Sequence, residues 1–161
     1  MPLRARLLRG LHALSAALVV LSVLLGYAAS RNAATLGIHI PAGFASAIVI
    51  AFTHAMTMFY FVGTGVSMRD ASGSNRRAAA LLARADALRR QLVWPLGIAV
   101  LLLIAATVLG GGSHTGWLPR WPHEVASWLA LAGGLHAHLR SARLISGNEG
   151  VIRDLEEVLG M

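Results

Sequence analysis

The chain has 161 residues, of which 56% are hydrophobic and 13% charged, and its mean hydropathy is +0.63. A soluble domain of this length has too little interior to bury so much apolar surface, and the apolar residues form blocks of roughly the 20 residues that a bilayer core requires. The sequence has no cysteine, which excludes disulfides, thiolate metal sites, iron–sulfur clusters and attached c-type haem. The net charge of +7 comes from arginines without interleaved aromatic residues, so nucleic acid is excluded as a partner.

Four apolar blocks predict an all-α integral membrane protein, an antiparallel four-helix transmembrane bundle that forms a single membrane domain over residues 1–161. The blocks cover residues 11–29, 42–66, 92–109 and 124–145. Short loops between them place consecutive helices side by side. The first block follows a basic head and is also compatible with a cleaved signal peptide, although its length favours a retained helix.

The arginines predict the orientation of these spans. All of them except Arg31 and Arg120 lie in the N-terminal head, in the loop after the second block, or near the C-terminal end. Arginine-rich loops stay on the cytoplasmic side of a membrane. The sequence therefore predicts a multi-pass protein of the cell (inner, cytoplasmic) membrane with both termini in the cytoplasm.

Two further helices are predicted on the cytoplasmic side. Residues 75–91 combine apolar positions at helical spacing with arginines, as in a helix that lies on an anionic leaflet. Residues 148–160 form an acidic amphipathic helix, with Asn148 as its candidate N-cap, that should pack near the basic one. The arginines expected to contact anionic lipids are Arg76, Arg77, Arg84, Arg89 and Arg90.

Two histidines within the spans suggest a cofactor. His54 and His136 lie at similar depths when measured from Pro41 and Pro122, which mark the outer ends of the second and fourth blocks. These two helices are diagonal neighbours in an up-and-down bundle. Histidines on facing helices are the axial ligands of haem in b-type cytochromes, so the arrangement predicts haem b between His54 and His136.

Neighbouring residues on the fourth block fit this hypothesis. Gly133 would allow close approach of a flat ring, and Arg140 could pair with a haem propionate. His138 is the alternative partner of His54, although it points to nearly the opposite face from His136. A purely structural interpretation stays open, in which His54 is a neutral imidazole that joins helices by hydrogen bonds.

The outer loops predict a second candidate site. His39, His114 and His123 all fall there, and three imidazoles with an open position are enough for zinc or copper. The competing interpretation is that these side chains are merely solvated.

The functional hypothesis is a small b-type haem-binding membrane subunit that passes electrons between a quinone pool and a partner. The alternative is a non-enzymatic accessory or structural subunit of a larger membrane complex. Nucleophile, base and orienting acid do not occur together, so the chain is not expected to be an enzyme on its own. A membrane-protein partner or a second copy of the chain is expected in either case.

Overall fold

The structure, a computed structural model, describes residues 3–73 and 75–160. Long helices account for most of these residues, which confirms the predicted all-α class. The helices are α1 (Leu3–Ala29), α2 (Ala33–Ser72), α3 (Arg76–His114) and α4 (Trp121–Leu159).

Local signals set the helix ends. The Asn32 side chain caps α2 by accepting a hydrogen bond from the backbone N–H of Ala34, and Asn75 caps α3 in the same way. Pro122 occupies the first turn of α4, where its missing N–H costs nothing, and α4 ends at Gly160 with φ of +69°. Polar caps and glycine thus set these helix ends.

The helices pack as a bundle. α1 contacts α2 and α4, and α3 likewise contacts α2 and α4, whereas the contact between α2 and α4 is smaller. Three helices, α1, α2 and α3, are long and apolar enough to cross a membrane. The fourth is less apolar because its buried face carries polar side chains, among them His138, Ser141, Asn148 and Glu149.

The prediction of two separate cytoplasmic helices is wrong. Residues 76–91 are the first part of α3, which runs on through Pro95 to His114, and residues 148–159 are the last part of α4. Pro95 lies inside α3, which is helical on both sides of it. Asn148 is not a cap but a buried residue whose side-chain amide donates to Thr64 Oγ1 at 3.1 Å.

The basic and acidic segments nevertheless pack together, as the sequence predicts. Their apolar faces join in a core formed by Met68, Ala78, Ala85, Val151 and Leu155. Arg84 and Asp154 form an exposed ion pair across this contact at 3.4 Å. The apolar face of residues 76–91 is therefore covered by protein, which is why this segment does not form a separate helix lying on a leaflet.

Candidate functional site

Three buried histidines from three helices meet inside the bundle. His12 on α1, His54 on α2 and His138 on α4 are 3%, 3% and 4% exposed. The ring centroids of His12 and His138 are 5.1 Å apart, those of His54 and His138 are 5.2 Å apart, and those of His12 and His54 are 6.3 Å apart. We call this group the histidine cluster.

The predicted partner of His54 is not part of the cluster. His136 lies on the exposed face of α4, because two helical positions turn a side chain by about 200° away from His138. Arg140 donates to Gln91 Oε1 at 2.6 Å and so binds α3. Gly133 also faces α3, since a Cβ there would lie 2.8 Å from Leu102 Cδ1. The pair that the structure brings together is His54 and His138.

Hydrogen bonds assign the tautomers of two cluster members. Thr57 donates its hydroxyl to the Thr53 carbonyl at 2.7 Å, so its oxygen accepts from His12 Nε2–H at 2.8 Å. The other nitrogen of neutral His12 is then an acceptor. His138 Nδ1–H donates to it at 2.8 Å, which leaves the lone pair of the His138 ring on Nε2.

Four buried polar atoms in this region have no hydrogen-bond partner. They are both ring nitrogens of His54, His138 Nε2 and Ser141 Oγ. An unpaired buried polar group costs on the order of 1–3 kcal/mol, so natural proteins rarely retain several together without use. His54 and His138 thus present free nitrogen lone pairs in a closed, low-dielectric interior, which is the chemistry of a metal ligand.

Small side chains surround the interior on the outer side of the cluster. Gly134, one turn before His138, is buried, yet a Cβ built on it would meet nothing within 4 Å. The space beside this position of α4 would therefore accept a methyl group. Other small buried residues on the same side of the bundle are Ser15, Ser46, Thr53, Ala99, Ala106, Ala126 and Ala130.

The other end of the bundle is filled differently. Large side chains form its core, among them Phe61, Leu92, Leu144 and Ile145. Close helix packing needs small residues, and so does the approach of a flat ligand to helix backbones. Between the histidine cluster and the outer loops most of the buried side chains are small, although Val19 and Ile50 are buried there as well.

The predicted metal site at the outer loops is not formed as predicted. His39 and His123 lie 6.2 Å apart between ring centroids, but His114 is exposed. Within residues 3–73 and 75–160, no group of three or more histidine and acidic side chains is arranged to hold a metal ion. The outer loops bring together two histidines, not three.

His12 is the cluster member to which sequence reasoning gave no role. Its signal was the polar pattern of α1, where Ser15 lies one turn away on the same buried face and contacts Thr53 Oγ1 at 2.8 Å. Polar residues that share a face of an apolar helix mark the side that faces protein.

Comparison with known protein families, with curated proteins and with solved structures gives no match for this chain, so its function has to be argued from the site itself.

Proposed function

We propose that this chain is a four-span membrane protein in which His54 and His138 are the axial ligands of a b-type haem that carries electrons. One observation supports this most strongly. Two buried imidazoles, one from α2 and one from α4, lie 5.2 Å apart between ring centroids and carry ring nitrogens that have no hydrogen-bond partner. The proposal keeps the cofactor predicted from the sequence and replaces His136 by His138.

The surface of the bundle supports a membrane position for all four helices. Trp94 and His114 on α3 are 20 residues apart, which at the helical rise corresponds to about 30 Å, the thickness of a bilayer core. Trp94 is exposed near one boundary, and Trp117 and Trp121 are exposed near the other, as in interfacial aromatic belts. On α4 the exposed residues between these levels include Val125, Trp128, Leu129 and Leu139, so its outer face suits lipid although its mean composition is more polar.

The orientation follows from the arginines. With an up-and-down arrangement, tags at Met1 and Met161 should both report the cytoplasm, and a tag inserted at residues 30–32 should report the outside. We also expect α1 to remain in the mature protein, because it supplies the buried His12. Reporter fusions and N-terminal sequencing measure both points, and an outside C-terminus would overturn this topology.

The geometry of the pair is close to that of two ligands on one iron. Axial imidazoles have ring centroids roughly 6 Å apart, since each iron–nitrogen bond is about 2 Å long and each ring centre lies about 1 Å beyond the nitrogen. The 5.2 Å between His54 and His138 is shorter, so the rings must separate by about 1 Å and α2 and α4 must part to admit the macrocycle.

The hydrogen bond from His138 Nδ1–H to His12 suits this role. Metal-bound histidines commonly donate their other ring N–H to an acceptor, which fixes the ring and raises its basicity. Iron with two imidazole ligands has both axial positions filled. Haem held by His54 and His138 would supply one-electron chemistry.

Purified protein supplied with haem tests the proposal directly. We expect a Soret band and a sharp α-band on reduction with dithionite, characteristic of six-coordinate low-spin iron. Parallel samples receive zinc or copper ions, which distinguish haem from a free metal ion as the group that the imidazoles bind. Folded protein that takes up no haem would overturn the proposal, and the structural interpretation would then hold, with His54 bonded to water or to another helix.

The contact between His12 and His138 yields a further prediction. His12→Ala removes the acceptor for His138 Nδ1–H, and loss of such a contact typically lowers affinity by roughly 10- to 100-fold. We expect weaker haem binding and a higher midpoint potential, because a less basic imidazole stabilises ferric iron less. The measurement is made in a His39→Ala chain, so that His39 and His123, the outer histidine pair, cannot bind haem in place of His54 and His138. His12→Gln, whose side-chain oxygen can accept the same hydrogen bond, should keep the haem affinity and the midpoint potential close to those of the parent chain. Equal effects of both variants would contradict the positioning role of His12.

A further inference from the structure

We infer that one exposed face of α1 packs against the same face of a second copy of the chain, so that two parallel α1 helices join a homodimer. This inference uses the membrane position given in the proposed function, and it does not depend on the cofactor. It assigns protein contact to a helix face that the single chain leaves uncovered.

The face consists of leucines and small residues at heptad spacing. Successive members are separated by four or by three residues in turn, which is the 3.5-residue period that keeps one face of a helix against a parallel partner. Every member is exposed in the single chain. We call this face the α1 stripe, and its members are Leu3, Leu7, Gly10, Leu14, Ala17, Leu21, Leu24 and Ala28.

The histidine cluster shows where the stripe lies relative to the membrane. Arg140, two residues after His138, binds Gln91 on α3 at 2.6 Å. Gln91 is three residues from Trp94, the exposed residue near the cytoplasmic boundary of the hydrocarbon core. His12, which contacts His138 at 2.8 Å, therefore lies within about one helical turn of this boundary.

The first two members of the stripe lie on the cytoplasmic side of this level. Leu3 and Leu7 precede His12 by nine and five residues, which corresponds to roughly 14 and 8 Å at the helical rise. They are 68% and 60% exposed. Acyl chains do not extend to the level of Leu3, so lipid leaves the cytoplasmic end of the stripe uncovered. Exposed apolar surface of this kind marks a contact with protein.

Small residues give the stripe room for a second helix. Gly10 is exposed, and a Cβ built on it would meet nothing within 4 Å. An open hollow of about 530 Å³ lies beside it, with Leu7 and Leu14 among its walls. In a parallel pair each member faces its own copy, so Gly10 faces Gly10 and Ala17 faces Ala17 between layers of leucine. Small residues at such a contact let two helix backbones approach closely.

The apolar area of the stripe is sufficient for a specific pair. Its five leucines are between 49% and 68% exposed. They present on the order of 500 Å² per chain, or about 1,000 Å² for two chains, which is the lower limit for a specific interface. A two-fold symmetric pair uses the same surface on both copies, as this stripe provides. Arg4 and Arg6 flank its cytoplasmic end, where anionic headgroups and salt screen the repulsion between the copies.

Disulfide cross-linking of single-cysteine variants tests the pairing, since the chain has no cysteine of its own. Full-length protein in vesicles that contain phosphatidylglycerol is oxidised with diamide, and dimers are quantified on non-reducing gels. A disulfide requires Cα atoms within about 7 Å, so Gly10→Cys, Leu14→Cys and Ala17→Cys should give mostly dimer. Ala13→Cys, exposed on α1 outside the stripe, and Leu101→Cys, exposed on α3 at a similar depth to Ala17, should give little. Absence of dimer in the stripe variants, or as much dimer in Leu101→Cys, would overturn the pairing.

A bulky substitution distinguishes a specific pair from chance collisions. Gly10→Phe should lower cross-linking through Leu21→Cys about tenfold or more, because the ring holds the two backbones apart. Gly97→Phe, exposed on α3 with nothing near its Cβ, should leave this cross-linking unchanged. Undiminished cross-linking in Gly10→Phe would refute the contact. Haem uptake is measured on the same samples. Specific dimers without haem would support the pairing and refute the proposed function, whereas haem-loaded monomers would do the reverse.

Discussion

In a His39→Ala chain, which keeps His54 and His138 but lacks the outer histidine pair, His54→Ala and His138→Ala should each abolish six-coordinate low-spin haem. Each substitution removes one axial ligand and leaves the iron at most five-coordinate. The loss of affinity should exceed the roughly 10- to 100-fold cost of losing a contact to a ligand. Optical titration with haem measures both the affinity and the spin state.

His136→Ala is the matched control for this experiment. It lies two residues from His138 on the same helix, but its side chain is exposed and should not touch the cofactor. We expect its haem spectrum and affinity to equal those of the His39→Ala parent. Helix content from circular dichroism confirms that each variant is folded. Loss of haem in His136→Ala with retention in His138→Ala would restore the sequence-based pair and refute the pair assigned here.

The second large effect is expected from filling the space beside His138. Gly134→Phe, again in the His39→Ala chain, places an aromatic ring on the buried face of α4, one turn before the proposed ligand. Circular dichroism has to show that this variant is folded, because a phenyl ring is larger than the methyl group for which this position has space. Haem uptake should fall to a small fraction of the parent value, measured as bound haem per folded chain.

Two substitutions control for bulk and for position. Gly134→Ala adds one methyl group that meets nothing within 4 Å, so haem uptake should persist. Gly97→Phe adds the same ring on the exposed face of α3 and should leave the site unchanged. Undiminished haem binding by Gly134→Phe would show that the macrocycle does not occupy this part of the bundle.

Hydrophobic blocks were enough to predict the helical class and the approximate position of each helix, because apolar runs of this length have few other uses. They were not enough to predict helix ends. Residues 75–91 fit a separate surface helix because of their arginines and alanines, and the expected packing of the acidic segment near them did not show that α4 covers their apolar face. That contact joins segments some 70 residues apart, as between Arg84 and Asp154.

The site was predicted in part. His54 was found because a histidine within an apolar span is unusual. His136 was preferred to His138 because Arg140 lies on its face, but Arg140 instead binds Gln91 on α3. The better signal was the polar series His138, Ser141 and Asn148, which recurs at helical spacing and marks the protein-facing side of α4. Tautomers and unpaired nitrogens, which carry the argument for ligands, depend on contacts between helices and could not be predicted from one sequence.

Low-temperature electron paramagnetic resonance of the ferric His39→Ala protein is the most direct test of the central claim that His54 and His138 bind one iron together. The account predicts a low-spin signal characteristic of two axial imidazoles. It also predicts that this signal converts to high-spin in both His54→Ala and His138→Ala and is unchanged in His136→Ala. A low-spin signal that survives either cluster substitution, or a high-spin signal in the parent, would contradict the account.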